Sequence, residues 1–134
     1  RSTETGDWNQ DPRRGHTGMK APRHSIDYLN DIIEAIEKAE AFSRNMTMEE
    51  FVSDDKTLYA TVRAIEIIGE ASKHVPDSVR IRFPDLPWRQ MSGMRDKLIH
   101  AYFGVDATVI WKTVKEDIPP IKNALELVIR EIPS

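Results

Sequence analysis

The stretch DDKTLYATVRAIEIIGEASKHVP, residues 54–76, reads as the longest helix of the chain. Leu58, Val62, Ile65 and Ile68, followed by Ala71 and Val75, recur every three or four residues. That spacing gathers apolar side chains on one side of an α-helix. Pro76 stops it, because a proline has no N–H with which to continue the ladder. The same period appears upstream, where Ile26, Leu29, Ile33 and Ile36 make a stripe over residues 25–42. Ser25 is a suitable N-cap there, and Asp27 and Asp31 favour the positive helix start. Between these two helices Thr47 and Glu50 have the spacing of a capping box, and Met48, Phe51 and Val52 give that short turn something to bury.

Downstream, DSVRIRF (residues 77–83) comes nearest to strand alternation but suits a short helix as well. Pro84, Leu86 and Pro87 make a rigid connection, and Pro87 suits the first turn of the next helix. That helix should cover residues 88–103, with Met91, Met94, Leu98 and Ile99 as its apolar positions and Gly104 as its C-terminal cap. Asp106 can cap a further helix carrying Val109, Ile110 and Val114. Pro119 and Pro120 then either kink or divide it before Ile121, Leu125, Val128 and Ile132 complete another stripe. No stretch alternates with period two for long enough to make a strand. The expected fold is therefore all-α, a bundle of four to five helices in one domain over residues 21–134. Residues 1–20 are rich in Gly, Thr, Asp, Asn and Arg without apolar period. They are expected to be a disordered N-terminal extension or an expression remnant, with Met19 as a natural start.

The 134 residues contain no cysteine, which excludes a disulfide scaffold, thiolate metal sites and a cysteine nucleophile. No apolar run approaches a bilayer span, so a soluble, cytoplasmic protein with no membrane partner is expected. The net charge of −3 carries no global nucleic-acid signature. Its distribution says more. Residues 25–74 hold eleven acids against five bases, whereas residues 80–97 hold Arg80, Arg82, Arg89, Arg95 and Lys97 against Asp85 and Asp96. The basic stretch either faces phosphate or is a solvated helix face balanced by acidic neighbours.

Within that stretch, residues 95–102 read RDKLIHAY, or R-x4-H-x-Y with an acid beside the Arg. A guanidinium offers a planar fork of donors that matches phosphate oxygens and stays charged at any working pH. A histidine near neutrality can take a proton and return it. Arg95 and His100 would suffice for transesterification of RNA without a metal or other cofactor, and neither is expected. Asp96 and His100 are four apart and share a helix face, so Asp96 can orient the imidazole. Arg95 and His100 stand roughly 140° apart around an ideal helix. One copy of the helix is thus a poor compact site, and two copies meeting across a dimer axis would complete each other's cleft. The structural alternative is a packed histidine beside a solvated ion pair. Glu66 and Glu70, one turn apart, have two readings as well. They either line the cleft and meet the motif Arg or a partner, or pair locally as Arg63–Glu66 and Glu70–Lys73. Trp88 and Trp111 read as core or interface anchors and Met91 and Met94 as packing.

The segment LPWRQMSGMRDKLIHAYFGVDATVIWKTVKEDIPPI, residues 86–121, resembles the signature region of HepT-like HEPN proteins, and RAIEIIGEA, residues 63–71, resembles that family's second long helix. No motif position departs from the pattern. The resemblance implies a HEPN-type helical bundle that dimerises, and a metal-independent endoribonuclease site made of Arg95 and His100, composite across the dimer, with Asp96 in support. It implies the toxin role of a toxin–antitoxin pair, with RNA as substrate and an MNT-type nucleotidyltransferase as antitoxin. Tyr102 would be the position at which that partner attaches AMP. The bulky anion would block RNA phosphate and compete for Arg95. The contrasting reading is a non-catalytic helical module that binds and regulates a nucleotidyltransferase.

Overall fold

A computed structural model of the chain describes residues 24–96, 98 and 106–132. Among these residues the regular structure is helical throughout, with no strand. Helix α1 runs Ser25–Ser43, α2 Met48–Ser53, α3 Asp55–His74, α4 Asp77–Arg82 and α5 Trp88–Ser92. Residues 94–96 and Leu98 are again helical. Then come α6 (Thr108–Lys112), a π-helical turn (Thr113–Asp117) and α7 (Ile118–Glu131).

Helices α1 and α3 form the central pair. They run antiparallel, since Tyr28 at the start of α1 stacks on His74 at the end of α3, with ring centroids 5.4 Å apart. Helix α7 lies against α1. Lys122 near its start bonds Glu40 near the end of α1 at 3.1 Å. Leu29, Ile32 and Ile36 of α1, Ile65 and Ile68 of α3, Phe51 of α2, and Ile118, Ile121 and Leu125 of the C-terminal helix are sealed from solvent in one core. The α1 stripe is turned slightly from its sequence reading. Ile32, Ala35 and Ala39 are buried, whereas Ile33 is half-buried, because small alanines let α3 approach closely.

Local chemistry sets the boundaries. Asp54 accepts from the Thr57 N–H and caps α3, and Thr47 and Glu50 form the expected capping box at 2.9 and 3.1 Å. At α1 the cap moves one residue upstream. Ser25 is the first helical residue, and the N–H of His24 donates to Asp27 at 3.2 Å. Residues 77–82 are helical, not extended. Their start follows Pro76, which needs no N–H partner there. The α1–α2 link turns through Asn45, at φ 64°, a left-handed conformation that asparagine tolerates.

Two expectations are modified. The helix foreseen over residues 88–103 breaks at Gly93, which separates α5 from residues 94–96 and Leu98, and most of its later residues together with Gly104 lie outside the described set. Pro119 and Pro120 stand in the first turn of α7, and the backbone stays helical from Thr108 to Glu131 through the π turn before them. The π turn immediately before them explains how. A proline lacks its own N–H and crowds the carbonyl four residues back, and a wider turn, closed by the Ile118 N–H on the Thr113 carbonyl, gives that ring room. The expected N-terminal extension, residues 1–20, lies outside the described residues.

Candidate active site

Glu66, Gly69, Glu70 and Lys73 follow one another at spacings of three, one and three along α3, so they share one face. That face meets the joint between α5 and residues 94–96. The helix beyond the joint is anchored by Met94 and Leu98, both buried, and by Met91 before it. Anchoring this side turns Arg95 and Asp96 outward. Between the two walls lies a groove of about 510 Å³ lined by Glu66, Lys73, Ser92, Gly93, Arg95 and Asp96, with Leu98 also contributing.

The Arg95 guanidinium stands 3.9 Å from the Glu70 carboxylate, and the second oxygen of Glu70 stands 3.7 Å from His74 Nε2. The Arg95 and Glu70 side chains are 57% and 61% exposed. A pair this open and this long contributes little to stability. It does hold the guanidinium over the groove while leaving its remaining donors accessible. Glu66 meets Arg63 at 3.5 Å. Glu66 thus pairs locally and also lines the groove, while Glu70 turns toward the motif Arg.

The basic stretch of residues 80–97 is not one surface. Arg80 donates to the Ser72 carbonyl at 2.6 Å and to the Val75 carbonyl at 3.1 Å, closing the C-terminal end of α3. Its guanidinium also lies 5.9 Å from the Trp88 ring centroid. Arg82 reaches the Glu131 carbonyl at 3.5 Å and lies over Phe83. Both serve the fold, and Arg95 lies at the groove. Trp88 is buried with its indole N–H on the Phe83 carbonyl at 2.9 Å, and Trp111 packs on Phe51 at 5.4 Å, so both tryptophans anchor the bundle.

His100 and Tyr102 lie outside the described residues, as does Lys97. Among the described residues no cluster of three His, Cys, Asp or Glu is arranged to hold a metal ion, and no helix is long and apolar enough to cross a membrane. A second groove, of about 450 Å³, opens between α1 and α3 beside Ala35, Phe42, Ala60, Ala64 and Ile67, and neither Arg95 nor Asp96 lines it.

Sequence reasoning did not single out Gly69 or Ser92. Gly69 is buried in mid-helix, and a Cβ there would come within 3.1 Å of Arg95 Cγ. A glycine inside an otherwise regular helical pattern was the available signal, because it costs about 1 kcal/mol against alanine and so marks a close approach. Ser92 Oγ is buried in the groove wall with no hydrogen-bond partner among the described residues. The buried hydroxyls of Ser43, Thr61, Ser72 and Thr113 all bond the carbonyl four residues back. Nothing in the spacing sets Ser92 apart from them.

The described residues form an all-helical bundle with Arg95 exposed at a groove beside Glu70. Residues 32–128 match the family described as Ribonuclease HepT-like. A protein of Thermococcus cleftensis named "Probable ribonuclease HepT" is 59% identical over 104 residues, which cover 78% of this chain and 94% of the relative. A Methanocaldococcus jannaschii protein named "Putative RNase MJ1216" is 45% identical over 105 residues, covering 78% of this chain and 87% of its own length. A third, named "Putative RNase TTE0752", from Caldanaerobacter subterraneus, is 38% identical over 84% of this chain and 98% of the relative. No solved structure matches with significance. The chain belongs to the Ribonuclease HepT-like family, and its all-α bundle is of the HEPN type.

Proposed function

We propose that this protein is a metal-independent endoribonuclease and the toxin of a toxin–antitoxin pair. The observation that carries the reading is the Arg95 guanidinium, held at the groove by Glu70 in a chain of the Ribonuclease HepT-like family. In the proposed reaction the RNA 2′-hydroxyl attacks the adjacent phosphorus, and His100 accepts its proton. Arg95 stabilises the charge that builds on the phosphoryl oxygens. The bond to the departing 5′-oxygen breaks and a proton is returned to that oxygen, leaving a 2′,3′-cyclic phosphate and a 5′-hydroxyl. Asp96, four residues before His100, is the group that orients it.

Two copies of the chain would complete the cleft, each bringing its Arg95 helix to a two-fold axis. An MNT-type nucleotidyltransferase would act as antitoxin by adding AMP to Tyr102, placing a bulky anion beside Arg95. The test is cleavage of RNA by the wild-type protein and by Arg95→Ala and His100→Ala, together with intact mass after co-expression with the nucleotidyltransferase. Expected are cyclic-phosphate products from the wild type alone, and a mass gain of one or more AMP units, lost in Tyr102→Phe, that abolishes cleavage. Folded, unmodified wild-type protein that cuts no RNA would instead favour a binding module that regulates the nucleotidyltransferase.

A further inference from the structure

Gly69 lies on α3 where it faces Arg95. A Cβ built on it would meet Arg95 Cγ at 3.1 Å, the Arg95 backbone nitrogen at 3.6 Å and the Ser92 carbonyl at 3.6 Å. The two backbone contacts are ordinary van der Waals distances, so an alanine does not force the helices apart. The contact with Cγ is too tight, and it falls on the stem of one side chain only. The residue after Gly69 is Glu70, whose carboxylate stands 3.9 Å from the far end of the same arginine. The arginine is therefore held at both ends by neighbouring positions of one helix, its stem in the slot over Gly69 and its guanidinium beside Glu70.

We propose that Gly69 is a positioning residue for the RNA-cleaving reaction, whose missing side chain forms the slot that sets the path of the Arg95 stem and so the place of its guanidinium over the groove. This inference rests on the ribonuclease reading for its consequence in catalysis, but not for the slot itself. An exposed arginine in solution samples many rotamers, and a stem laid along a helix backbone loses most of them before substrate arrives. The slot occupies the middle of a helix, where glycine is disfavoured. A wall on one side of Cγ and a carboxylate at the tip leave the other face of the guanidinium for phosphate oxygens.

The test is a thermal and kinetic cycle on the full chain. Gly69→Ala is made in the wild type, in Arg95→Ala, which lacks Cγ, and in Arg95→Lys, which keeps it. With Cγ absent, Gly69→Ala should raise Tm by about 2–4 °C, the ordinary gain of alanine over glycine in a helix. In the wild type and in Arg95→Lys that gain should shrink or reverse. In the wild type, kcat for RNA cleavage should fall roughly 10-fold, with KM little changed and Tm not lowered enough to explain it, because a displacement of a few tenths of an ångström acts on the transition state. A purely structural glycine would lower Tm and leave the kcat of the folded fraction alone. The same Tm change in all three backgrounds would overturn the slot. A wild-type kcat in Gly69→Ala would overturn the positioning role. Cleavage by Arg95→Ala at the wild-type rate would instead sink the ribonuclease site and the catalytic half of this proposal, while the thermal coupling would still decide the slot.

Discussion

Arg80 and Arg95 are fifteen residues apart in one basic stretch, and their replacement should have opposite consequences. Arg80→Met keeps the aliphatic stem and removes two charge-assisted hydrogen bonds, at 2.6 Å to the Ser72 carbonyl and 3.1 Å to the Val75 carbonyl. Bonds of this kind contribute about 1.5–3 kcal/mol each when buried. Arg80 is half-buried, and water can reach its carbonyl partners in the variant, so the pair together should contribute about 2 kcal/mol. Loss of the Trp88 face adds about 0.5 kcal/mol. For a domain of this size a loss of about 2–3 kcal/mol lowers Tm by about 8–12 °C. Arg95→Ala breaks one exposed pair at 3.9 Å and should move Tm by no more than about 2 °C. RNA cleavage should behave in reverse, surviving Arg80→Met at temperatures where the variant is folded and disappearing in Arg95→Ala. Calorimetry and a cleavage assay at several salt concentrations test both. An unchanged Tm for Arg80→Met would refute the capping role. A weaker salt dependence of RNA binding, by about one unit of slope, would show that Arg80 faces phosphate after all.

Two further outcomes follow from the packing. Phe51 is fully buried against Trp111, so Phe51→Ala should cost about 3–5 kcal/mol in chemical denaturation, and a loss under about 1 kcal/mol would mean α2 does not seal the core. The Lys122 ammonium is held above its ordinary value of 10.5 by its hydrogen bond to Glu40 and then by that carboxylate's charge. A lysine raised on folding adds stability that is fully present below the unfolded-state value and is lost as pH rises through the folded one. Wild type should therefore exceed Lys122→Met by about 1 kcal/mol at neutral pH and lose that margin in the alkaline range above about pH 10.5, with a constant difference across pH counting against the pair.

The sequence by itself determined the helical class, the long α3 with its Pro76 stop, the capping box at Thr47, and the anchoring roles of Trp88 and Trp111. These features are local. A helix period, a cap three residues from its partner and a proline's missing N–H act within one or two turns, so they can be read along the chain. Family resemblance likewise marked Arg95, because its motif is contiguous. Tertiary structure alone decided what each charge serves. Residue type and charge do not separate Arg80 from Arg95, and the motif marks only the second. One closes the end of α3, and the other stands at the groove beside Glu70. Nor could the chain say that Glu70 would turn to an arginine twenty-five residues away and not to Lys73, or that a mid-helix glycine would lie under that arginine's stem. Such contacts depend on how two helices are rotated against each other. That rotation is set by the whole buried core and not by any residue's near neighbours.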